Sequence, residues 1–228
     1  MGDGYFVMAI RTTEQFIDRV AQERAWRIKE LSALKSMLET SHLSPSRQTV
    51  LNKSCVALLY AHWEGFVKKS GNYFLEYVAM QRMQLKELKP CFISLILKSK
   101  IDAACDSKKY SVFGDIAGYL VSSQESRIAV PYKNIIDTQS NLSSSVLREI
   151  LACLGLDYSG FEPKQKLIDS KLVNRRNYIA HGEDVEINTD DVKEMFVEVL
   201  SLMDDFRTLI ENSVVLASYK RTSGVITP

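Results

Sequence analysis

Leu58-Leu59-Tyr60-Ala61-His62-Trp63-Glu64-Gly65-Phe66-Val67-Lys68 lies inside a longer apolar stripe whose members, Cys55, Leu59, Trp63, Phe66, Val67, Phe74 and Tyr77, recur at helical spacing. Ser44 followed by Pro45 supplies an N-cap and a first helical residue, so the pattern predicts one helix over about 45–80. A stripe of that length must be covered by other elements. Upstream, Thr12 and Gln15 form a capping box ahead of Phe16, Ile17, Val20, Ile28, Leu31, Leu34 and Leu38, which predicts a helix over about 12–40. Downstream, Val192, Met195, Phe196, Val199, Met203, Phe206 and Ile210 give a continuous buried face to a helix over about 188–213. Asn188 or Thr189 opens it, and Asp190 and Asp191 sit in its first turn, where the helix dipole favours negative charge.

A fourth long helix is predicted over about 163–182, from Pro163 to Gly182, a glycine with C-cap character. Between about 88 and 160 the periodicity weakens, with short helices expected after Pro90, near Gly114 to Ser122, and from Ser143 to Leu154. No internal repeat or strand alternation interrupts this pattern. The expected fold is therefore all-α: an up-and-down bundle of four to five long helices, with a less regular helical insertion in the middle, forming a single domain over 1–228.

The chain has 29 lysines and arginines against 28 aspartates and glutamates, so no global excess of positive charge advertises nucleic acid or an anionic membrane, and such a partner must be met locally. Cys55, Cys91, Cys105 and Cys153 are scattered without a Cys-x-x-Cys pair or a histidine at ligand spacing, which predicts reduced, buried thiols and no metal site. The apolar run Tyr5 to Ile10 is too short, and lacks the basic flank, for a signal peptide. No run approaches the roughly 20 residues that span a bilayer, so a cytoplasmic location away from the membrane is expected. The tail from Lys220 to Pro228 is expected to fray.

Chemistry concentrates in Leu172-Val173-Asn174-Arg175-Arg176-Asn177-Tyr178-Ile179-Ala180-His181-Gly182. Asn177 and His181 are four residues apart and share a helix face, while Ile168, Leu172 and Ile179 point to the core. Arg176 lies about 140° round from His181, with a side chain long enough to swing to the same surface. A fixed cation beside a titratable base suits work on a phosphodiester. From Lys164 to His181, Lys164, Lys166, Lys171, Arg175 and Arg176 face the single anion Asp169, which makes this helix basic. The alternative reading of His181 is a C-terminal cap that complements the helix dipole. Gly65, costly by about 1 kcal/mol inside a helix, is expected to permit a close helix approach. Glu64 between two aromatics needs a partner if buried: Arg175 or Arg176, or else Lys68 one turn later. His42 is expected in solvent, and His62 as a satisfied structural histidine.

Arg176-Asn177-x-x-x-His181 resembles the signature of the HEPN superfamily of all-α ribonucleases. The likeness extends to Tyr60-Ala61-His62-Trp63-Glu64-Gly65-Phe66, to Asn141-Leu142 before a helix, to Leu154-Gly155-Leu156 and to the run from Asn177 to Gly182, all of which are similar to a bacterial toxin-antitoxin and defence-associated branch. The resemblance implies a HEPN-like bundle and a homodimer in which two motif helices build a composite cleft. It also implies metal-independent cleavage of RNA by 2′-hydroxyl transesterification, without a cofactor, by a toxin or anti-phage effector held by an antitoxin. Arg176, His181 and Asn177 become the expected catalytic residues, and Arg175, Lys171, Tyr178 and Glu64 the expected RNA-binding or supporting ones. The alternative is a catalytically silent HEPN dimer that binds RNA, a nucleotide or a protein. One departure stands out: Glu183 occupies the place two residues after the histidine where some HEPN toxins carry a tyrosine that a partner modifies with adenylate.

Overall fold

Thr12 and Gln15 cap the first helix reciprocally: the Gln15 amide donates to Thr12 Oγ1 at 3.2 Å, and Gln15 Oε1 accepts from the Thr12 amide at 3.2 Å. The computed structural model describes residues 9–40, 42–107 and 109–221, so most of the Tyr5–Ile10 run and all but two residues of the C-terminal tail lie outside the described residues. In chain order the α-helices are α1 (Thr13–Thr40), α2 (Pro45–Met80), α3 (Pro90–Ser107), α4 (Tyr110–Ser122), α5 (Ser144–Leu154), α6 (Arg175–Ala180) and α7 (Thr189–Val215). Two isolated antiparallel bridges, Gln84 with Arg127 and Leu88 with Lys220, are the only β-type pairings among the described residues. No described helix is long and apolar enough to cross a membrane.

The three longest helices, α1, α2 and α7, pack mutually, as their apolar stripes require. Trp63 and Phe66 of α2 both meet Phe206 of α7 edge-on, at ring separations of 6.4 and 6.3 Å, while Phe16 of α1 meets Phe74 at 6.2 Å. Each of these rings is fully buried, and each such burial stabilises the fold by about 1.5–3 kcal/mol. Asn188 caps α7 by accepting from the Asp191 amide at 2.7 Å. The insertion packs α5 against both α2 and α3.

The segment preceding His181 departs from the single helix expected over 163–182. It is a 3-10 turn over Ser159–Lys164, a π-helix over Leu167–Asn174, and the short α6. The wider π-turn seats Ile168, Leu172 and Val173 in the core. On its other faces Asp169 accepts from the Ser144 amide at 2.7 Å and the Ser144 hydroxyl at 2.6 Å, and Lys171 reaches α7. The chain thereby satisfies commitments to α5, the core and α7 within two turns, and residues after Asn174 are rotated relative to those before Leu167.

Candidate functional site

Gly182 decides where the motif helix stops. Its φ of 72° lies in the left-handed region, and the Glu183 amide donates to the Tyr178 carbonyl at 2.9 Å while the Gly182 amide donates to the Ile179 carbonyl at 3.1 Å. These two bonds form a Schellman turn, which closes α6 at His181 and leaves that imidazole exposed at the helix end. No described residue hydrogen-bonds to the ring. The chain leaving Gly182 is pinned to α2, because Asn52 Nδ2 donates to the Ile187 carbonyl at 2.8 Å from a buried position.

Arg176 is held from three sides. Its Nη1 donates to Asn141 Oδ1 and to Asn177 Oδ1, both at 2.9 Å, its Nη2 donates to the Ser140 carbonyl at 3.2 Å, and its guanidinium lies 4.8 Å from the centre of the Tyr60 ring. The loop meets it through two consecutive left-handed residues, Gln139 (φ 51°) and Ser140 (φ 61°), a conformation that non-glycine residues keep only where their surroundings hold it. Tyr60 supplies that hold: its hydroxyl accepts from the Leu142 amide at 2.6 Å. Burial pushes the phenol up to about 12, against the opposing pull of the Leu142 amide and Arg176, so the hydroxyl remains a donor at neutral pH. Asn177 spends its carbonyl oxygen on Arg176, which leaves its amide protons for a ligand.

Of the other cations of the segment, all but the exposed Lys166 are spent on α7. Lys164 pairs with Asp205, Lys171 with Glu198 at 2.8 Å and Glu194 at 3.1 Å, and Arg175 with Asp191 at 2.8 Å. The basic helix read from the sequence is therefore largely neutralised by the neighbour it packs beside. Among the described residues Arg176 faces no carboxylate at ion-pair distance. Glu64 also departs from expectation: half-buried, it pairs with neither arginine nor with Lys68, and its charge pushes up the phenol of Tyr60, one turn earlier on α2. Gly65 admits a side chain rather than a helix backbone, since a Cβ there would stand 2.9 Å from both terminal nitrogens of Arg27. That buried arginine pairs with Glu23 at 2.6 Å and donates to the His62 carbonyl at 3.3 Å. His62 is itself buried, with Nε2 3.2 Å from Glu30, and burial lowers its pKa. His42 is exposed, as is Tyr178 at 44%.

The structure places Arg176 and Asn177 on α6, joined by a hydrogen bond, with His181 at the C-cap of the same helix and Glu64 one turn from Tyr60 on α2. It adds Tyr60, Ser140 and Asn141, which sequence reasoning did not assign to the site. Arg175 and Lys171 it directs into α7. Among the described residues no group of three or more His, Cys, Asp or Glu side chains is placed to hold a metal ion.

The RiboL-PSP-HEPN family model matches residues 22–212, a span that runs from within α1 to within α7 and includes every residue of this site. No curated protein and no solved structure gives a match.

Proposed function

The chain belongs to the RiboL-PSP-HEPN family, and on that premise we propose that it is an endoribonuclease cutting RNA by attack of a ribose 2′-hydroxyl on the adjacent phosphate. The observation that carries this reading is the state of Arg176: a guanidinium oriented by Asn141, Asn177, Ser140 and Tyr60, with no described carboxylate against it, on the short helix that the exposed His181 caps. A cation left without an anion is disposed to take one, and its planar fork suits a phosphorane's oxygens better than an ammonium would.

In the proposed reaction His181 removes the 2′-hydroxyl proton and the oxygen attacks phosphorus. Arg176 stabilises the charge that develops on the non-bridging oxygens, and the Asn177 amide contributes a further donor. The 5′-oxygen leaves with a proton, giving a 2′,3′-cyclic phosphate and a 5′-hydroxyl. A single chain presents one such histidine here, so we assign the complementary proton transfer to His181 of a second copy, in a homodimer whose motif helices face each other. No step requires a metal ion or a cofactor. DNA, without the 2′-hydroxyl, is spared. In the cell the activity fits a cytoplasmic toxin or anti-phage effector restrained by a cognate protein.

One observation favours a second reading: none of the described residues orients the His181 ring, as an anion-binding groove without catalysis would allow. The two separate in one experiment. Wild type and His181→Ala are incubated with total RNA in a chelator and the product ends are identified. The nuclease gives cyclic-phosphate ends that vanish in the variant while RNA binding persists; cleavage surviving in His181→Ala refutes the assignment, and an uncut wild-type sample that still binds RNA establishes the groove.

A further inference from the structure

One turn beyond Glu64 on α2 a second cluster begins. Lys68, Lys69, Tyr73 and Glu76 of α2 and Tyr132 and Lys133 of the loop between α4 and α5 line a cavity of about 280 Å³. Lys68, Lys69 and Lys133 are exposed and form no ion pair with any described residue, in contrast to Lys164 and Lys171 of the motif segment. The one acid present, Glu76, accepts the Ile10 amide at 3.2 Å. Three cations therefore face one anion in a chain whose formal net charge is only +1. The Lys133 ammonium stands 6.0 Å over the Tyr132 ring.

The cluster and the Arg176 site are built by the same two elements. The loop is seated on α2 at Asn72, whose Oδ1 accepts the amides of Ile135 at 3.2 Å and Ile136 at 3.4 Å. Gly71 lets Ile136 in, since a Cβ there would stand 3.1 Å from Ile136 Cγ1. The same loop is seated again where the Leu142 amide meets Tyr60. Just before the first anchor it delivers Tyr132 and Lys133 to the cavity, and between the two it delivers Ser140 and Asn141 to Arg176. At a rise of about 1.5 Å per residue, Lys68 lies about 12 Å along α2 from Tyr60. That is the reach of a short length of extended strand.

We propose that the Lys68–Lys69–Lys133 cluster, with Tyr73 and Tyr132, is a second subsite that holds single-stranded RNA flanking the phosphate bound at Arg176. This rests on the ribonuclease reading of that site and adds its substrate class. Ammonium groups without anions supply contacts to backbone phosphates, and two tyrosine rings at the cavity supply faces for unstacked bases. Lysines act as point charges rather than forks, so the subsite grips the strand without reading its sequence. Single-stranded loops and tails, whose bases can splay, fit such a surface better than an A-form duplex does.

The test uses the full chain and a fully 2′-O-methylated RNA of about 15 nucleotides, which cannot be cut and isolates binding by fluorescence anisotropy. Combined replacement of Lys68, Lys69 and Lys133 by alanine is expected to weaken binding about ten-fold near 0.1 M salt and to reduce the slope of log affinity against log salt by about 2. Tyr132→Ala is expected to weaken binding by roughly ten-fold with the slope unchanged, as loss of a stacking face should. Thermal melts of each variant establish that it folds. Equal affinity and slope in the triple-lysine variant overturn the subsite, whether or not wild type cuts RNA. Binding that depends on the lysines in a protein that cuts no RNA supports the track while overturning the nuclease.

Discussion

Replacing Tyr60 by phenylalanine removes one oxygen and leaves the ring under Arg176. The residue is 1% exposed, and its hydroxyl is the acceptor for the amide of Leu142, which is 0% exposed. Phenylalanine leaves that buried N–H without a partner, at a cost of about 1–3 kcal/mol, and the volume change is too small to add a cavity term of comparable size. Taking about 2 kcal/mol and a urea slope of about 2–3 kcal/mol per molar, the unfolding midpoint falls by about 0.7–1 M. The loss has a functional counterpart, because the Leu142 anchor positions Ser140 and Asn141 against Arg176. RNA cleavage is therefore expected to fall in turnover more than in substrate affinity, since the guanidinium and its stacking face remain. Tyr60→Leu, which removes the ring as well, is expected to lose affinity too. A midpoint within about 0.2 M of wild type for Tyr60→Phe refutes the argument, as it would mean that the loop keeps its place without this bond.

Gly182→Ala places a Cβ where no other atom lies within 4 Å, so its cost is purely that of holding φ near 72°, about 1–2 kcal/mol. For a chain of this size the melting temperature drops by about 2–8 °C, with Gly182→Asn milder; an unchanged melt shows that the Schellman turn does not need its glycine. Raising the pH destabilises the fold through groups that burial keeps protonated: Cys55 and Cys153, each pushed up to about 11, and Tyr60, pushed up to about 12. Their contribution is complete below the unfolded values of 9.0 for the thiols and 10.0 for the phenol, and it is lost as pH rises through the folded ones. The urea midpoint is expected to hold to about pH 9 and then decline to about pH 12, with the uppermost part of the decline missing in Tyr60→Phe; a flat profile refutes the shifts.

The helices that make the core were legible because their stripes are long. Over 36 residues in α2 and 27 in α7, only a helix keeps Cys55, Trp63, Phe74 or Val192, Phe206, Ile210 on one side. The π-helix was not legible, since Ile168 and Leu172 are four apart and satisfy an α-helical stripe equally well. What widens the turn is the pull of Ser144 on Asp169 and of α7 on Lys171, and neither partner is local. Gly65 was recognised as a close approach, but its visitor is Arg27, 38 positions away in the chain. Tyr60 and Asn141 stood inside motifs already singled out, yet the chemistry of a phenol and an amide gave no reason to place both beside Arg176.

Choosing between Arg175 and Arg176 shows where a sequence signal was present and unused. Asp191, Glu194, Glu198 and Asp205 recur at spacings of three, four and seven, which puts them along one edge of α7. Lys164, Lys171 and Arg175 recur at seven and four, an edge of opposite sign and similar repeat on the motif segment. Two such edges on adjacent helices neutralise each other, and the four ion pairs observed are the result. Arg176, one residue out of that register, is excluded from the exchange by its position and is caught instead by acceptors that carry no charge, on Asn141, Asn177 and Ser140. A positive charge held by neutral groups keeps its appetite for an anion, whereas Arg175 has already spent its own on Asp191. The arginine that stands ready for a phosphate is thus the one that the packing of α7 left over.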